Sequence, residues 1–67
     1  MLTIILNGEP REIAAGSTLG DVLVAAGYAE RRIAVEINRE IVPKSTHGER
    51  VVHDGDRIEI VHALGGG

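Results

Sequence analysis

The run Leu2-Thr3-Ile4-Ile5-Leu6 is β-branched and apolar, so a strand here, with its period of two, presents Leu2, Ile4 and Leu6 on one face. Asn7-Gly8 follows, a dipeptide suited to a two-residue hairpin turn because both positions tolerate positive φ. A second strand is expected near Pro10 to Ala14; Pro10 has no N–H for a ladder, which suits a strand's first residue or a sheet edge. Gly16 and Ser17 then break the pattern. The period changes to that of a helix at Thr18-Leu19-Gly20-Asp21, which has the spacing of a capping box. Leu19, Val22, Leu23 and Ala26 recur at i, i+3, i+4 and i+7 as one apolar stripe, and Gly27 suits the left-handed position just beyond a helix end. Alternation returns at Ile33, Val35 and Ile37, Asn38-Arg39 turns the chain, and Glu40-Ile41-Val42 makes a brief fourth strand before Pro43. Lys44 to Arg50 reads as loop. Asp54-Gly55-Asp56 is a turn signal, after which Ile58 and Ile60 face inward and Arg57, Glu59 and Val61 outward.

Two strands, one helix and two or three further strands define an α+β chain. At this length the economical arrangement is a mixed sheet with one amphipathic helix packed across one face, a β-grasp (ubiquitin-like) roll. Residues 1–64 are expected to form that domain, and residues 65–67 a flexible glycine tail. By alternation Ile5 and Val61 point away from the helix. They are either scattered surface apolar residues or, with Leu64, a docking face leading toward the tail.

Composition narrows the functional classes. Sixty-seven residues allow one domain, which at this size buries only about 60% of the surface exposed by the unfolded chain. With no Phe or Trp and a single tyrosine, Tyr28, the core must be built from Ile, Val, Leu and Ala. A formal charge of -3 with scattered basic residues argues against nucleic acid, whose phosphates require clustered Lys and Arg. No apolar run approaches the roughly 20 residues that cross a bilayer, and no signal-peptide pattern opens the chain, so a cytoplasmic protein without membrane contact is expected. The absence of cysteine removes disulfides and any side-chain thiol that could carry sulfur.

The candidate chemistry lies at the C-terminus. Gly65-Gly66-Gly67 directly follows a strand and a short connection, and it is either a frayed end or a stalk carrying a reactive backbone carboxylate. Without Cβ atoms such a tail can thread a narrow slot, reaching at most about 13 Å from Leu64 to Gly67. Elsewhere the residues favour structure. His47, His53 and His62 share no ligand-type spacing and have no cysteines to complete a set, so no metal is expected. His62 is either a general base near the tail or a strand-end residue. Asp54 and Asp56 flank a glycine as a tight turn requires. Ser17 and Thr18 have no partnered His and Asp at useful spacing, and Thr18 already has a capping role. No Gly-rich phosphate loop followed by Lys and Ser or Thr occurs.

Ile37-Asn38-Arg39-Glu40-Ile41-Val42-Pro43, together with Asp54-Gly55-Asp56-Arg57-Ile58-Glu59-Ile60-Val61 running to Gly65-Gly66-Gly67, resembles the ubiquitin-like sulfur carriers of thiazole (thiamin) biosynthesis, the ThiS family. The resemblance spans the whole chain. It implies that an adenylating enzyme of the ThiF type consumes ATP to convert the Gly67 carboxylate into an acyl adenylate. A persulfide from a cysteine desulfurase or another sulfur donor then replaces the adenylate and leaves a thiocarboxylate. Thiazole synthase of the ThiG type receives the sulfur, with Gly65 and Gly66 threading the partner's active site. The chain itself would be a carrier and protein substrate, not an enzyme, and would bind no cofactor. An α-carboxylate needs such help, being ionised at neutral pH and a poor electrophile until its oxygen becomes a good leaving group. Three alternatives remain open: a related carrier for molybdopterin synthesis, a ubiquitin-like protein conjugated through Gly67, and an interaction module with an idle tail.

Overall fold

A computed structural model describes residues 1–28 and 32–62. Leu64 and the glycines Gly65, Gly66 and Gly67 of the expected tail therefore lie outside the described residues, as does the end of the expected 1–64 domain.

Strand β1 (Leu2–Leu6) and strand β2 (Glu9–Ile13) form the expected hairpin. Asn7 and Gly8 have φ of 49° and 86°. Positive φ at both central positions makes a turn whose twist matches that of the flanking strands. This two-residue turn makes Glu9 the direct partner of Leu6, so β2 starts one residue before the expected Pro10 and stops at Ile13, short of Ala14. Pro10 stands opposite Ile5 on a strand at the sheet edge, where a missing N–H costs least.

The helix α1 (Leu19–Ala25) carries the capping box in full: Asp21 N–H donates to Thr18 Oγ1 at 3.2 Å, and Thr18 N–H donates to Asp21 Oδ2 at 3.0 Å. Its other end closes on Gly27, φ 85°. Gly27 N–H reaches the Val24 carbonyl at 3.1 Å and Tyr28 N–H the Leu23 carbonyl at 2.8 Å, the paired bonds of a glycine-terminated helix. The segment expected to be a plain loop at Lys44 to Arg50 contains a 3-10 turn, Lys44–Thr46, in which Thr46 Oγ1 donates to the Pro43 carbonyl at 2.9 Å. It then closes over the start of α1. Leu19 N–H donates to the Arg50 carbonyl at 2.7 Å and Gly20 N–H to the His47 carbonyl at 2.9 Å, giving partners to amides that a helix leaves unpaired in its first turn.

Strands β3 (Ile33–Ile37) and β4 (Glu40–Val42) form a second hairpin, with Asn38 and Arg39 at φ of 51° and 71°. Strand β5 (Arg57–His62) lies between β1 and β3. Among the described residues the sheet has five strands in the order β2-β1-β5-β3-β4; β1 and β5 run parallel and the other neighbours antiparallel. This is the mixed sheet with a covering helix that the pattern predicts.

The core is aliphatic. Ile4, Leu19, Val22, Val35, Ile37, Val52 and Ile58 are almost completely buried, with Leu6, Leu23, Val42 and Ile60 around them. Leu23 retains 6% of its exposure. Truncating a buried leucine costs about 2 to 5 kcal/mol, because the cavity collapses only in part. A 67-residue domain at about 0.05 to 0.15 kcal/mol per residue has roughly 3 to 10 kcal/mol in all. Leu23→Ala is therefore expected to lower the thermal midpoint by at least about 10 °C, read by circular dichroism. A midpoint within error of the parent protein would mean that Leu23 is not packed as described.

Candidate functional site

The chain reaches its C-terminal glycines through β5, and the fold holds that strand from both flanks. On one side the Ile5 amide donates to the Asp56 carbonyl and the Asn7 amide to the Ile58 carbonyl, both at 2.9 Å. On the other side β3 pairs along the strand from Ile37↔Ile58 to Ile33↔His62. Each neighbouring hairpin adds an asparagine side chain: Asn7 Oδ1 accepts from Ile60 N–H at 2.7 Å, and Asn38 Oδ1 accepts from Arg57 N–H at 3.0 Å. Sequence reasoning assigned both asparagines to turns and missed these bonds. Their amide groups are free to reach β5 because the left-handed backbone already makes the turn.

The entry to β5 is equally fixed. Asp56 is buried, and its carboxylate accepts from His53 N–H at 2.8 Å and from Asn38 Nδ2 at 3.0 Å, while Asp54 Oδ1 accepts from Thr3 N–H at 2.8 Å. The two aspartates hold the turn around Gly55, φ 84°, as the sequence suggests.

The face of the sheet away from α1 is arranged in rungs. Pro10, Ile5 and Arg57 share one; Ile41, Glu36 and Glu59 share the next along β5; Ala34 and Val61 share a third. Val61 is 60% exposed and Ile5 half-buried, both on this outer face. The structure does not bring them together: Ile5 stands opposite Arg57, and Val61 lies four residues further along β5, about 13 Å away. Nearer to Val61 are Ala34, its direct partner, and the facing glutamates Glu36 and Glu59. Ile41, 73% exposed, flanks those glutamates on β4. Like charges directly opposite one another destabilise a sheet, so this pair is a local cost that the free domain carries.

The histidines serve separate purposes. His47 Nε2 lies 3.0 Å from the Val42 carbonyl, and His53 uses its backbone amide to hold Asp56. His62 is the last residue of β5. Among the described residues no three His, Cys, Asp or Glu side chains are grouped to hold a metal, and no helix is long and apolar enough to cross a membrane.

The model of the ThiS family matches residues 4–67. Among curated proteins, the chain is 44% identical over 66 residues to a thiazole synthase of Magnetococcus marinus, covering 98% of this chain and 20% of that protein. It thus spans about a fifth of the length of that relative. The sulfur carrier protein ThiS of Escherichia coli is 30% identical over 66 residues, covering 98% of this chain and 100% of that one. The ThiS of Thermus thermophilus is 39% identical over 62 residues, with 92% and 95% covered. Among solved structures, the crystal structure of the thiamine biosynthesis protein ThiS from Geobacter metallireducens superposes with a TM-score of 0.85 at 28% identity, over 98% of this chain and 100% of that one.

Proposed function

This chain belongs to the ThiS family, and we propose that it works as a sulfur carrier protein of thiamin biosynthesis, with the Gly67 carboxylate as its working group. The observation that carries the reading is the end-to-end match to carriers of the same length, joined to a fold in which a central strand leads toward the glycines.

The chemistry proceeds in steps that the chain cannot perform alone. A ThiF-like adenylating enzyme joins the Gly67 carboxylate to the AMP part of ATP, releasing pyrophosphate and turning a carboxylate oxygen into a leaving group. The terminal sulfur of a persulfide, supplied by a cysteine desulfurase or a related donor, attacks the acyl carbon and expels AMP. A second thiol then attacks the donor's cysteine sulfur in the resulting acyl disulfide, forming a new disulfide with it and supplying the two electrons, and the transferred sulfur stays on Gly67 as a thiocarboxylate. In the last step a ThiG-like thiazole synthase accepts that sulfur; the relative of this name in Magnetococcus marinus, which contains a region similar to this chain, supports that partner. The chain acts as substrate and carrier, ATP is bound by the enzyme, and the cytoplasm, where ATP is available, is the compartment. Leu64 and the outer face, with Ile5 and Val61, provide the contact with the enzymes, while Gly65 and Gly66 occupy the slot leading to the reacting atoms.

Reconstitution tests the assignment. The chain, charged by the adenylating enzyme and a persulfide donor, is expected to support thiazole formation by thiazole synthase and to give no product with a molybdopterin-forming acceptor enzyme. Turnover with only the latter acceptor would overturn it.

A further inference from the structure

Strand β5 outruns its parallel neighbour. The register pairs Leu6, the last residue of β1, with Ile58, while β5 continues to His62. At Asn7 the backbone turns away into the hairpin, so the ladder should stop there. It gains one more rung instead: Asn7 Oδ1 stands where the next β1 carbonyl would be and accepts from Ile60 N–H at 2.7 Å, linking residues 53 positions apart. The other end of the same side chain, Nδ2, lies 3.4 Å from the Tyr28 hydroxyl just past the end of α1. One exposed side chain thus connects β5 to β1 through its own backbone and to the helix end through Tyr28.

We propose that Asn7 is a positioning residue for the C-terminus: its amide fixes the free flank of β5 at Ile60 and so sets the direction in which the chain leaves the sheet after His62. The inference rests on the carrier reading above. A strand paired on one flank only can swing about that pairing, whereas a bond on the second flank removes the swing. Because activation requires the reacting carbon within an ångström of its target, even a modest loss of alignment acts on the rate of chemistry, where a misplacement of that size can cost about a hundredfold. Docking through the sheet face should change little, because Val61 keeps its pairing with Ala34 on β3. Asn38 provides the internal comparison, since it makes the same turn with the same left-handed backbone and bonds Arg57 N–H, at the end of β5 remote from the glycines.

The variants follow from the geometry. Asn7→Gly keeps a residue at ease with φ of 49° and deletes the acceptor. The fold should survive, because Asn7 borders an open depression of about 220 Å³ shared with Pro10, Arg11 and Tyr28, from which water can reach the vacated position. Asn7→Asp restores an oxygen acceptor and tolerates the same backbone. Asn38→Gly removes the matching bond at the remote end together with the Asn38 Nδ2 bond to the Asp56 carboxylate, so its melting curve is measured alongside and the kinetics are compared where it is folded.

With the adenylating enzyme and ATP, Asn7→Gly is expected to lower kcat about tenfold with KM changed less than twofold, while Asn7→Asp and Asn38→Gly keep kcat near the parent value. Independently of any enzyme, Asn7→Gly should speed exchange of the Ile60 amide and lower the order parameter of the His62 N–H from about 0.85 toward 0.6, and Asn38→Gly should leave both unchanged. Equal loss of kcat in the two glycine variants, or an Asn7→Gly protein with unchanged kcat and unchanged order at His62, would overturn the proposal. Absence of activation in the parent protein would sink the carrier reading instead, and the amide measurements would then decide Asn7 by themselves.

Discussion

Deleting Gly67 is expected to abolish ATP-dependent activation of the chain and to leave its melting temperature where it was. The expectation follows from where the reactive group is proposed to sit. The electrophilic carbon belongs to the last residue, and the buried cluster of Ile4, Leu19, Ile37 and Ile58 that carries the fold lies wholly within the described body. Shortening the tail by one residue withdraws the carboxylate by about 3.3 Å or more, several times the ångström misplacement that already costs about a hundredfold. Adding a residue beyond Gly67 does the equivalent damage in the other direction, since the new carboxylate then lies past the α-phosphate. Pyrophosphate exchange catalysed by the adenylating enzyme measures the loss. Exchange at the parent rate with the shortened chain would remove Gly67 from its assigned role.

Charges placed on adjacent residues of β5 should produce opposite phenotypes. Ile60 retains 8% of its exposure and faces the helix, whereas Val61 is 60% exposed on the other side of the sheet. Ile60→Asp buries a carboxylate without a cationic or hydrogen-bonding partner, a cost of several kcal/mol that competes with the whole stability of a small domain, so the variant should be largely unfolded. Val61→Asp keeps its new charge in water when the protein is free and should melt within a few degrees of the parent. Its cost comes on binding, where the carboxylate would be stripped of water in a contact built around exposed apolar side chains. The apparent KM for the chain in activation should therefore rise at least about tenfold with the fold intact. A one-residue slip of β5 would exchange the two outcomes. Normal kinetics with Val61→Asp would leave tail insertion alone to account for recognition.

What the amino-acid order revealed was mainly local. Thr18 and Asp21 announce the helix start, Gly27 its end, and Asn7-Gly8 and Asn38-Arg39 the two hairpins, because each signal depends on residues a few positions apart. The alternation of Ile58 and Ile60 with Glu59 and Val61 likewise needs only the period of a strand. Register between distant strands is a different matter. The parallel pairing of β1 with β5 joins residues some fifty positions apart, and only that pairing shows that Ile5 faces Arg57 and lies well away from Val61. The antiparallel pairings of β3 with β5 and with β4 likewise bring together the facing glutamates Glu36 and Glu59 and the neighbouring Ile41, and the end of the β1–β5 ladder is where Asn7 bonds Ile60. Val52 escaped notice for a similar reason. It belongs to no regular alternation, yet it is buried because the segment after Pro43 folds across the start of α1, and its amide donates to the Ser17 carbonyl at 3.0 Å. The proposed chemistry comes from the terminal glycines and the family resemblance, since no side chain advertises it.

The most direct test of the central claim is the intact mass of the purified chain after incubation with the adenylating enzyme, ATP and a persulfide donor. Replacement of one oxygen by one sulfur, located by fragmentation to Gly67 and absent when ATP is withheld, is the predicted result. A mass unchanged by the complete mixture, or sulfur found on any other residue, would contradict it.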